Sequence, residues 1–448
     1  MKLLIRQTTL VTVNEKDEVF EQADLAIVDD KIAAIGEIPE DFVPDRILEG
    51  QDCIVLPGLI NSHTHLSMTL MRNYADDLDF WPWLMERIKP LEDHLTLEDV
   101  RIGARLGLAE LIRGGTTCFH DMYFHMDQVA EEVEAAGLRA CLCETLFDNA
   151  GQGEQMLRDA VDLHRNWDGQ AEGRIRVAMA PHSIYLCSPG YLREILQESL
   201  RLQCGWHTHL CETEQEVENC RQQHGKTPVQ LLADLDCFEV PIVAAHGIYV
   251  DEQDQRLLRE GKVSIAHNPS SNLKLANGIA PIQSLMHQGV NVCLGTDGAA
   301  SNNNLNLFEE MHLAALLQKW KNHDAKALPA SEVLRMATIR GAQALGLDHQ
   351  IGSLEVGKQA DLIMINTSQP HLAPRHDPIA LLVYSAQASD VCTVMVNGKI
   401  LLEDHVLQTL DQSSLLEQAS QQTQQLLQRA QGSQAKADTA VAQSVRVS

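Results

Sequence analysis

The sequence contains no Cys-x-x-Cys pair, although it has eleven cysteines. The cysteines are an odd number, scattered along the chain, and several lie inside apolar runs such as residues 290–294. This usage is typical of reduced, buried thiols in a cytosolic protein. It excludes a small fold that is held together by disulfide bonds.

Signals for export or membrane insertion are also lacking. The first residues have neither the continuous apolar core nor the small-residue cleavage site of a signal peptide. No apolar run approaches the length needed to span a bilayer. We therefore expect a cytoplasmic protein without a membrane partner.

Positive charge is scarce. Lys and Arg total 35 against 62 Asp and Glu, a formal net charge of -27, which repels nucleic acid and anionic membrane surfaces. We therefore expect a small-molecule substrate. The 448 residues suffice for one large α/β barrel with additions, or for two to three ordinary domains.

Eight apolar, strand-like segments alternate with longer helical stretches from residue 54 onward. This rhythm predicts a (β/α)8 TIM barrel. The strands are expected at residues 54–62, 116–121, 138–145, 175–182, 205–210, 242–247, 263–267 and 290–297.

Short β-rich runs lie on both sides of this region. Asp29-Asp30 and Asn397-Gly398 are expected hairpin turns within them. The predicted fold is thus a barrel with a small β-sandwich domain built from both chain ends, residues 1–56 and 353–410, around a barrel at 57–352. A glutamine-rich tail, residues 411–448, is expected to be helical to about residue 430 and disordered beyond residue 432.

Chemically active side chains gather at the ends of the predicted strands. His63 and His65 are two residues apart, so they project from the same face of a strand. A lone histidine is more often structural, but six strands that deliver such groups to one rim predict a metal-assisted active site. The other groups at this rim are His182, His207, His209, Glu212, His246, His267 and Asp297.

Five ordered stretches carry a family resemblance: residues 57–65, 209–213, 244–247, 267–275 and 295–303. With them the sequence resembles the amidohydrolase superfamily, in particular its 5-methylthioadenosine/S-adenosylhomocysteine deaminases and the related ATZ/TRZ chlorohydrolases. The resemblance covers residues 1 to about 405 and omits the tail.

The resemblance implies one divalent metal ion held by His63, His65, His209 and Asp297. Three imidazole nitrogens and a carboxylate oxygen suit zinc and leave a position for water, with iron and manganese as alternatives. The fourth predicted strand has no lysine that could become carboxylated and hold a second metal. We therefore expect a single ion.

The roles implied for the other residues are those of a hydrolytic deaminase. The metal would lower the pKa of bound water, and His246 and Asp297 would orient that water and accept its proton. Glu212 would protonate the ring nitrogen beside the attacked carbon, so that ammonia leaves.

Substrate contacts are implied as well. His182 would bind the purine, while Glu92 and Trp83, in the long segment 66–95, would contact the ribose and the 5′ substituent. Trp83 is almost equally expected in the core, and Ser301 is expected either to position a ligand or to cap the following helix. His207 and His267 are expected in structural or supporting roles.

The leading hypothesis is a zinc-dependent aminohydrolase that converts a 6-aminopurine nucleoside to its inosine analogue. In relatives that accept S-adenosylhomocysteine, arginines near the third strand bind the amino-acid tail, and no arginine is securely placed here. Methylthioadenosine or adenosine is therefore favoured. The alternatives are guanine or another amino- or chloro-heterocycle as substrate, and an inactive barrel scaffold. The family suggests a homo-oligomer, a dimer or tetramer.

Overall fold

A computed structural model describes residues 1–148 and 151–445 of the chain, with side chains up to residue 432. No helix within these residues is long and apolar enough to cross a membrane. The strands are β1 Lys2–Val11, β2 Val19–Val28, β3 Lys31–Gly36, β4 Arg46–Glu49, β5 Cys53–Pro57, β6 Leu59–Thr64, β7 Thr116–Tyr123, β8 Arg139–Leu146, β9 Ile175–Val177, β10 Ala180–Pro181, β11 Trp206–Leu210, β12 Ile242–His246, β13 Ser264–His267, β14 Asn291–Leu294, β15 Leu362–Asn366, β16 Val391–Val396, β17 Lys399–Glu403 and β18 Val406–Leu407.

Helices connect most of the strands from β6 onward. A 3₁₀-helix at Leu66–Met71 and a π-helix at Trp83–Ile88 lie in the first connection, and shorter 3₁₀ turns occur at Cys237–Glu239, Pro370–Leu372 and Ala388–Asp390. The α-helices are α1 Phe80–Pro82, α2 Lys89–Glu92, α3 Leu97–Arg113, α4 Met126–Ala136, α5 Gly153–Trp167, α6 Gln170–Gly173, α7 Pro189–Leu202, α8 Glu214–His224, α9 Pro228–Asp234, α10 Glu252–Glu260, α11 Pro269–Lys274, α12 Ile282–His287, α13 Leu307–Asn322, α14 Ala330–Met336, α15 Ile339–Ala344, α16 Pro378–Tyr384 and α17 Gln412–Val445.

The parallel strands β6 to β14 close into a barrel. β6, β7 and β8 pair in order, β9 and β10 both pair with β8, and β11 to β14 form the other half. The Met179 amide donates to the Gly205 carbonyl oxygen at 3.0 Å at one seam, and the Thr296 amide donates to the His63 carbonyl oxygen at 3.1 Å at the other. The predicted (β/α)8 barrel is therefore confirmed.

The first predicted strand is wrong in one respect. The sequence predicts one strand over residues 54–62, but the structure has two, β5 and β6, separated at Gly58. A Cβ atom at Gly58 would lie 2.0 Å from the Thr117 Oγ1 atom, so only glycine fits there. β5 joins a sheet outside the barrel, and β6 begins the barrel itself.

A nine-stranded mixed sheet combines both ends of the chain. Its order is β18-β17-β16-β15-β5-β1-β2-β3, with β4 paired to β1. The predicted hairpins at Asp29-Asp30 and Asn397-Gly398 are confirmed, because β2 pairs with β3 and β16 with β17 on either side of them. The sheet packs a core of its own around Leu3, Ile5 and Leu25. That it forms a separate β-sandwich domain stays a prediction.

The C-terminal helix α17 packs on α3. Its Leu415, Ala419 and Leu426 side chains are buried, and the Gln422 side-chain amide donates to Asp99 Oδ1 at 2.8 Å. The helix runs to Val445, past the predicted end near residue 430. The last residues of the predicted disordered stretch, 446–448, lie outside the described part of the chain.

Candidate active site

The barrel strands deliver the candidate residues to one end of the barrel. His63 lies in β6 and His209 in β11, while His246 is the last residue of β12. Asp297 follows β14 by three residues, and His182 follows β10 directly. Because parallel strands place their carboxyl ends at the same rim, residues far apart in sequence meet there.

Four side chains converge on one point, as the sequence predicts. The ligand atoms offered by His63, His65, His209 and Asp297 all lie within 4.8 Å of one another. Asp297 Oδ1 is 3.3 Å from His63 Nε2 and 3.2 Å from His65 Nε2. The donor set is three imidazole nitrogens and one carboxylate oxygen, which suits zinc.

Hydrogen bonds hold the three imidazole rings by their other nitrogen. His65 Nδ1 is 2.6 Å from the Met122 carbonyl oxygen, and His209 Nδ1 is 2.9 Å from the His182 carbonyl oxygen. His63 Nδ1 is 2.8 Å from His207 Nε2. These contacts turn the Nε2 atoms toward the centre of the site, which is how metal-binding histidines are usually oriented.

The geometry fits a metal cation. Carbonyl oxygens only accept, so Nδ1 carries a hydrogen in His65 and His209, and each ring in its neutral form presents an Nε2 lone pair. The two Nε2 atoms face each other across 3.2 Å. Two acceptors at this distance repel each other, whereas a divalent cation beside the Asp297 carboxylate satisfies both. The site therefore fits a zinc ion.

Burial and mutual contacts set the charges of these groups. Burial lowers the pKa of His63 to about 3 and that of His209 well below its ordinary value, which keeps both rings neutral, as metal ligands must be. Burial opposes a charge on Asp297, but hydrogen bonds from His63 and His65 hold the pKa of its carboxyl well below the usual range. Burial lowers the pKa of His65, yet Asp297 raises it to about 8, and a bound cation takes the place of that proton.

Glu212 and His246 lie beside the four ligands. Both side chains are buried, and Glu212 Oε2 is 3.8 Å from His246 Nε2. Burial, followed by the charges of Asp297 and Glu216, raises the pKa of Glu212 well above its ordinary value. Burial therefore favours the neutral, protonated form of this carboxyl.

The backbone at two of these residues is in an unusual conformation. His246 has a φ of 77° and Asp297 a φ of 63°, in the left-handed region that non-glycine residues seldom adopt. Strain of this kind is found mostly at functional sites, where the surrounding structure enforces a side-chain direction.

A small inner cavity of about 70 Å³ lies against three of the four ligands, His65, His209 and Asp297. It adjoins an outer cavity of about 590 Å³. Trp83, Glu92 and His182 line the inner cavity, so the structure places all three predicted contact residues there. The two cavities share five lining residues, Leu84, Glu92, Phe124, His182 and Tyr185.

The polar atoms of these lining residues are only partly used. The Tyr123 hydroxyl donates to Glu92 Oε1 at 2.8 Å, while the buried Trp83 Nε1 atom makes no hydrogen bond within the described residues. Trp83 is therefore both a core residue and a wall of the cavity, as both of its expected readings require. Burial lowers the pKa of His182 to about 3, so this ring is neutral at neutral pH.

Ser301 does not reach the cavity. Its side chain is buried and its hydroxyl donates to the Gly298 carbonyl oxygen at 3.1 Å, within the turn that follows Asp297. It does not cap the next helix either, because Asn306 occupies the N-cap of α13. Neither reading of Ser301 from the sequence is supported by its position.

Three residues that bond the site residues were not predicted from the sequence. Ser271 Oγ donates to Asp297 Oδ2 at 2.6 Å, His246 Nδ1 lies 2.8 Å from Asn272 Oδ1, and Asn277 Nδ2 donates to Glu212 Oε1 at 3.0 Å. Ser271 and Asn272 lie in the family motif at residues 267–275, so the resemblance marked their positions in the sequence. Their side-chain directions could not be read from it.

The chain is similar to known proteins over most of its length. The model of the amidohydrolase family matches residues 54–401. A curated 5-methylthioadenosine/S-adenosylhomocysteine deaminase of Thermoanaerobacter pseudethanolicus is 46% identical over 431 residues, which cover 96% of this chain and 100% of the relative.

Solved structures are similar over most of the chain. A zinc-bound adenosine deaminase from Xanthomonas campestris has a TM-score of 0.91 and 35% identity, covering 95% of this chain and 98% of the other. A zinc-bound atrazine chlorohydrolase from Arthrobacter aurescens has a TM-score of 0.88 and 25% identity, covering 94% and 100%.

Proposed function

This chain belongs to the amidohydrolase family, and from that premise we propose that it is a zinc-dependent deaminase of adenosine-type nucleosides. The observation that carries the proposal is the convergence of three imidazoles and the Asp297 carboxylate beside the buried Glu212, whose pKa is raised. The deaminase names of the relatives agree with it. The reaction replaces the 6-amino group of the purine by oxygen, consuming water and releasing ammonia.

The proposed metal ligands are His63, His65, His209 and Asp297. When bound, zinc supplies a Lewis acid that lowers the pKa of water at the site toward neutrality. His246 would accept a hydrogen bond from this water at Nε2, because its Nδ1 atom is already bonded to Asn272. Asp297 and His246 thus orient the nucleophile and take up its proton.

Glu212 has the complementary role in the proposal. It donates its proton to the ring nitrogen beside the attacked carbon, which makes that carbon a better electrophile. Its burial supports this role, because a raised pKa keeps the carboxyl protonated until substrate arrives. Collapse of the tetrahedral adduct then releases ammonia.

The cavities support a nucleoside as substrate. We assign His182 to the purine, Glu92 to the ribose hydroxyls and Trp83 to the apolar 5′ substituent. The outer cavity combines apolar side chains, such as Trp81 and Phe147, with charged ones, such as Lys89 and Asp93, and no arginine occurs among the described residues that line it. Without an arginine, the amino-acid tail of S-adenosylhomocysteine lacks the partner expected for it, so methylthioadenosine is the preferred substrate in this proposal.

A different heterocycle is the second candidate. The similarity to the atrazine chlorohydrolase favours it, because a water nucleophile and an acid also suffice to displace chloride or another amine. The test is an absorbance assay of zinc-loaded protein with methylthioadenosine, adenosine, S-adenosylhomocysteine, guanine and atrazine.

The expected result is fastest loss of the adenine band with methylthioadenosine, together with ammonia release. Chelation and His209→Ala should abolish turnover, and His349→Ala, which changes an exposed histidine, should not. Turnover of atrazine alone would replace the proposal by the second candidate. No turnover of any compound by fully zinc-loaded protein would overturn both and favour an inactive scaffold.

The domain organisation, the localisation, the oligomeric state and the partners are part of the same proposal. We assign residues 1–56 and 353–410 to one β-sandwich domain and residues 57–352 to the catalytic barrel. We also propose a cytoplasmic homo-oligomer, a dimer or tetramer, with no nucleic-acid or membrane partner. Light scattering during size-exclusion chromatography would measure its mass, and a monomer would contradict the oligomer.

A further inference from the structure

One short segment contacts all three groups that the proposed function assigns to proton transfer. It comprises helix α11 and the residues that follow it to Asn277. Ser271 bonds Asp297 at 2.6 Å, Asn272 bonds His246 at 2.8 Å and Asn277 bonds Glu212 at 3.0 Å. The three side chains are at most 6% exposed.

The segment itself is held firmly. The Asn277 amide donates to the Asn272 carbonyl oxygen at 2.8 Å, and the Tyr249 hydroxyl donates to the Asn277 carbonyl oxygen at 2.6 Å. The Ser270 amide donates to Glu310 Oε2 at 3.1 Å, which ties the start of the helix to α13. Its side chains therefore present hydrogen-bonding groups in fixed directions.

We infer that Ser271, Asn272 and Asn277 are positioning residues that fix the orientation of Asp297, the tautomer of His246 and the rotamer of Glu212. The inference rests on the proposed function. None of the three lines the inner cavity, so each acts through the residue that it bonds and not through the substrate.

Asn272 determines the tautomer of His246. An amide oxygen only accepts, so His246 must donate from Nδ1, and its Nε2 atom then presents a lone pair. That Nε2 atom makes no hydrogen bond within the described residues, so it is free to accept one from the attacking water. Without the Asn272 acceptor, the hydrogen can sit on Nε2, where it blocks this role.

Ser271 and Asn277 act on the two carboxyl groups. Ser271 occupies Asp297 Oδ2, which leaves Oδ1 directed at His63 and His65. Asn277 donates to Glu212 Oε1, which leaves Oε2 to carry the proton toward the substrate. In each case a neutral donor selects which carboxyl oxygen faces the reaction.

The first test compares Asn272→Leu, which removes the acceptor at similar volume, with Asn272→Asp, which keeps an acceptor. For methylthioadenosine we expect Asn272→Leu to lower kcat by roughly 10–100-fold with KM changed less than about threefold and zinc content unchanged. Asn272→Asp should retain a kcat within about tenfold of wild type. Leu273→Ala, an exposed position on the same helix, is the matched control.

Ser271→Ala is a second variant that removes a single oxygen and leaves the backbone intact. It should also lower kcat by about tenfold or more without raising KM. Wild-type kcat in both Asn272→Leu and Ser271→Ala would overturn the inference, as would an Asn272→Asp variant as slow as Asn272→Leu.

A spectroscopic measurement separates this inference from the proposed function. Imidazole ¹⁵N NMR of zinc-loaded protein, with the His246 signal identified from a His246→Ala sample, reports its tautomer directly. We expect the Nδ1-protonated form in wild type and its loss in Asn272→Leu. A hydrogen on Nε2 of His246 in wild type would overturn the inference even if the enzyme deaminates nucleosides. An inactive wild type with the expected tautomer would overturn only the proposed function.

Discussion

Glu212 is the residue on which the proposed chemistry depends most directly. Its carboxyl is buried between Asn277 and His246, and burial raises its pKa, which favours the protonated form. Glu212→Gln preserves the size of the side chain and an acceptor for Asn277 but removes the transferable proton. We expect kcat for methylthioadenosine to fall by about 10²–10⁴-fold.

Zinc content measured by mass spectrometry should stay at one ion per chain in this variant, because Glu212 is not among the four ligands. The matched control is Glu214→Gln, two residues along and exposed at the start of α8, which should keep wild-type kcat. Equal kcat in the Glu212 variant and wild type would remove Glu212 from the mechanism.

Glu310 supports the site from a distance and makes stability depend on pH. Burial raises the pKa of its carboxyl from 4.5 to about 8, although it accepts hydrogen bonds from the Ser270 amide and the Asn302 side chain. Between these two values the folded protein keeps a proton that the unfolded chain releases. The contribution of Glu310 to the free energy of unfolding therefore falls as pH rises from about 4.5 to about 8.

Glu310→Gln should remove this part of the pH dependence. Urea unfolding at several pH values between 5 and 8 should give a shallower fall in stability for the variant, by up to about 1.4 kcal/mol per pH unit. Glu309→Gln, at an exposed neighbour on α13, should leave the wild-type slope unchanged. Identical slopes for the Glu310 variant and wild type would contradict the prediction.

At the scale of elements, helix α17 stabilises the barrel by covering α3. Leu426 is fully buried in this contact, whereas Leu416 on the same helix is 52% exposed. Leu426→Ala should lower the free energy of unfolding by about 2–5 kcal/mol, because it leaves a cavity in a packed contact. Leu416→Ala should have little effect.

Thermal and urea unfolding of both variants would measure the difference. If the two substitutions had equal effects, α17 would not be packed on α3 in solution. The contact also includes the start of α3, because Gln422 and Arg429 of α17 both bond Asp99 there. The helix thus supports the connection between β6 and β7, which contains Glu92.

At the scale of the whole molecule, one buried ion pair joins the barrel to the nine-stranded sheet. Arg139 begins β8 of the barrel, and Asp361 directly precedes β15 of the sheet. Their Nε and Oδ2 atoms are 2.9 Å apart, with the side chains 2% and 1% exposed. Arg139→Met should destabilise the protein by about 3–5 kcal/mol, because it leaves a buried carboxylate without its partner.

A double variant distinguishes this cause from a loss of packing. Asp361→Leu combined with Arg139→Met removes both charges and should recover part of the lost stability in urea unfolding. Arg165→Met breaks an exposed pair with Asp162 and should change stability little. A double variant less stable than the single one would show that the two charges are not coupled.

The sequence alone determined the features that depend on local pattern. Alternating apolar runs predict the barrel, and strand geometry predicts that the polar side chains at the strand ends gather at one rim. The family resemblance then implied that His63, His65, His209 and Asp297 are the four ligands among them. Hairpin turns were readable for the same reason, since Asn397 and Gly398 are neighbours in the chain.

Tertiary structure decided everything that depends on contacts between distant segments. The roles of Asn272 and Asn277 follow from hydrogen bonds to residues 26 and 65 positions away, and no periodicity encodes the direction of an amide. The break at Gly58 depends on the approach of Thr117, and Ser301 turns away from the cavity because its hydroxyl bonds Gly298. Local sequence limits which side chains can reach the site, but packing selects the partner, the tautomer and the charge of each.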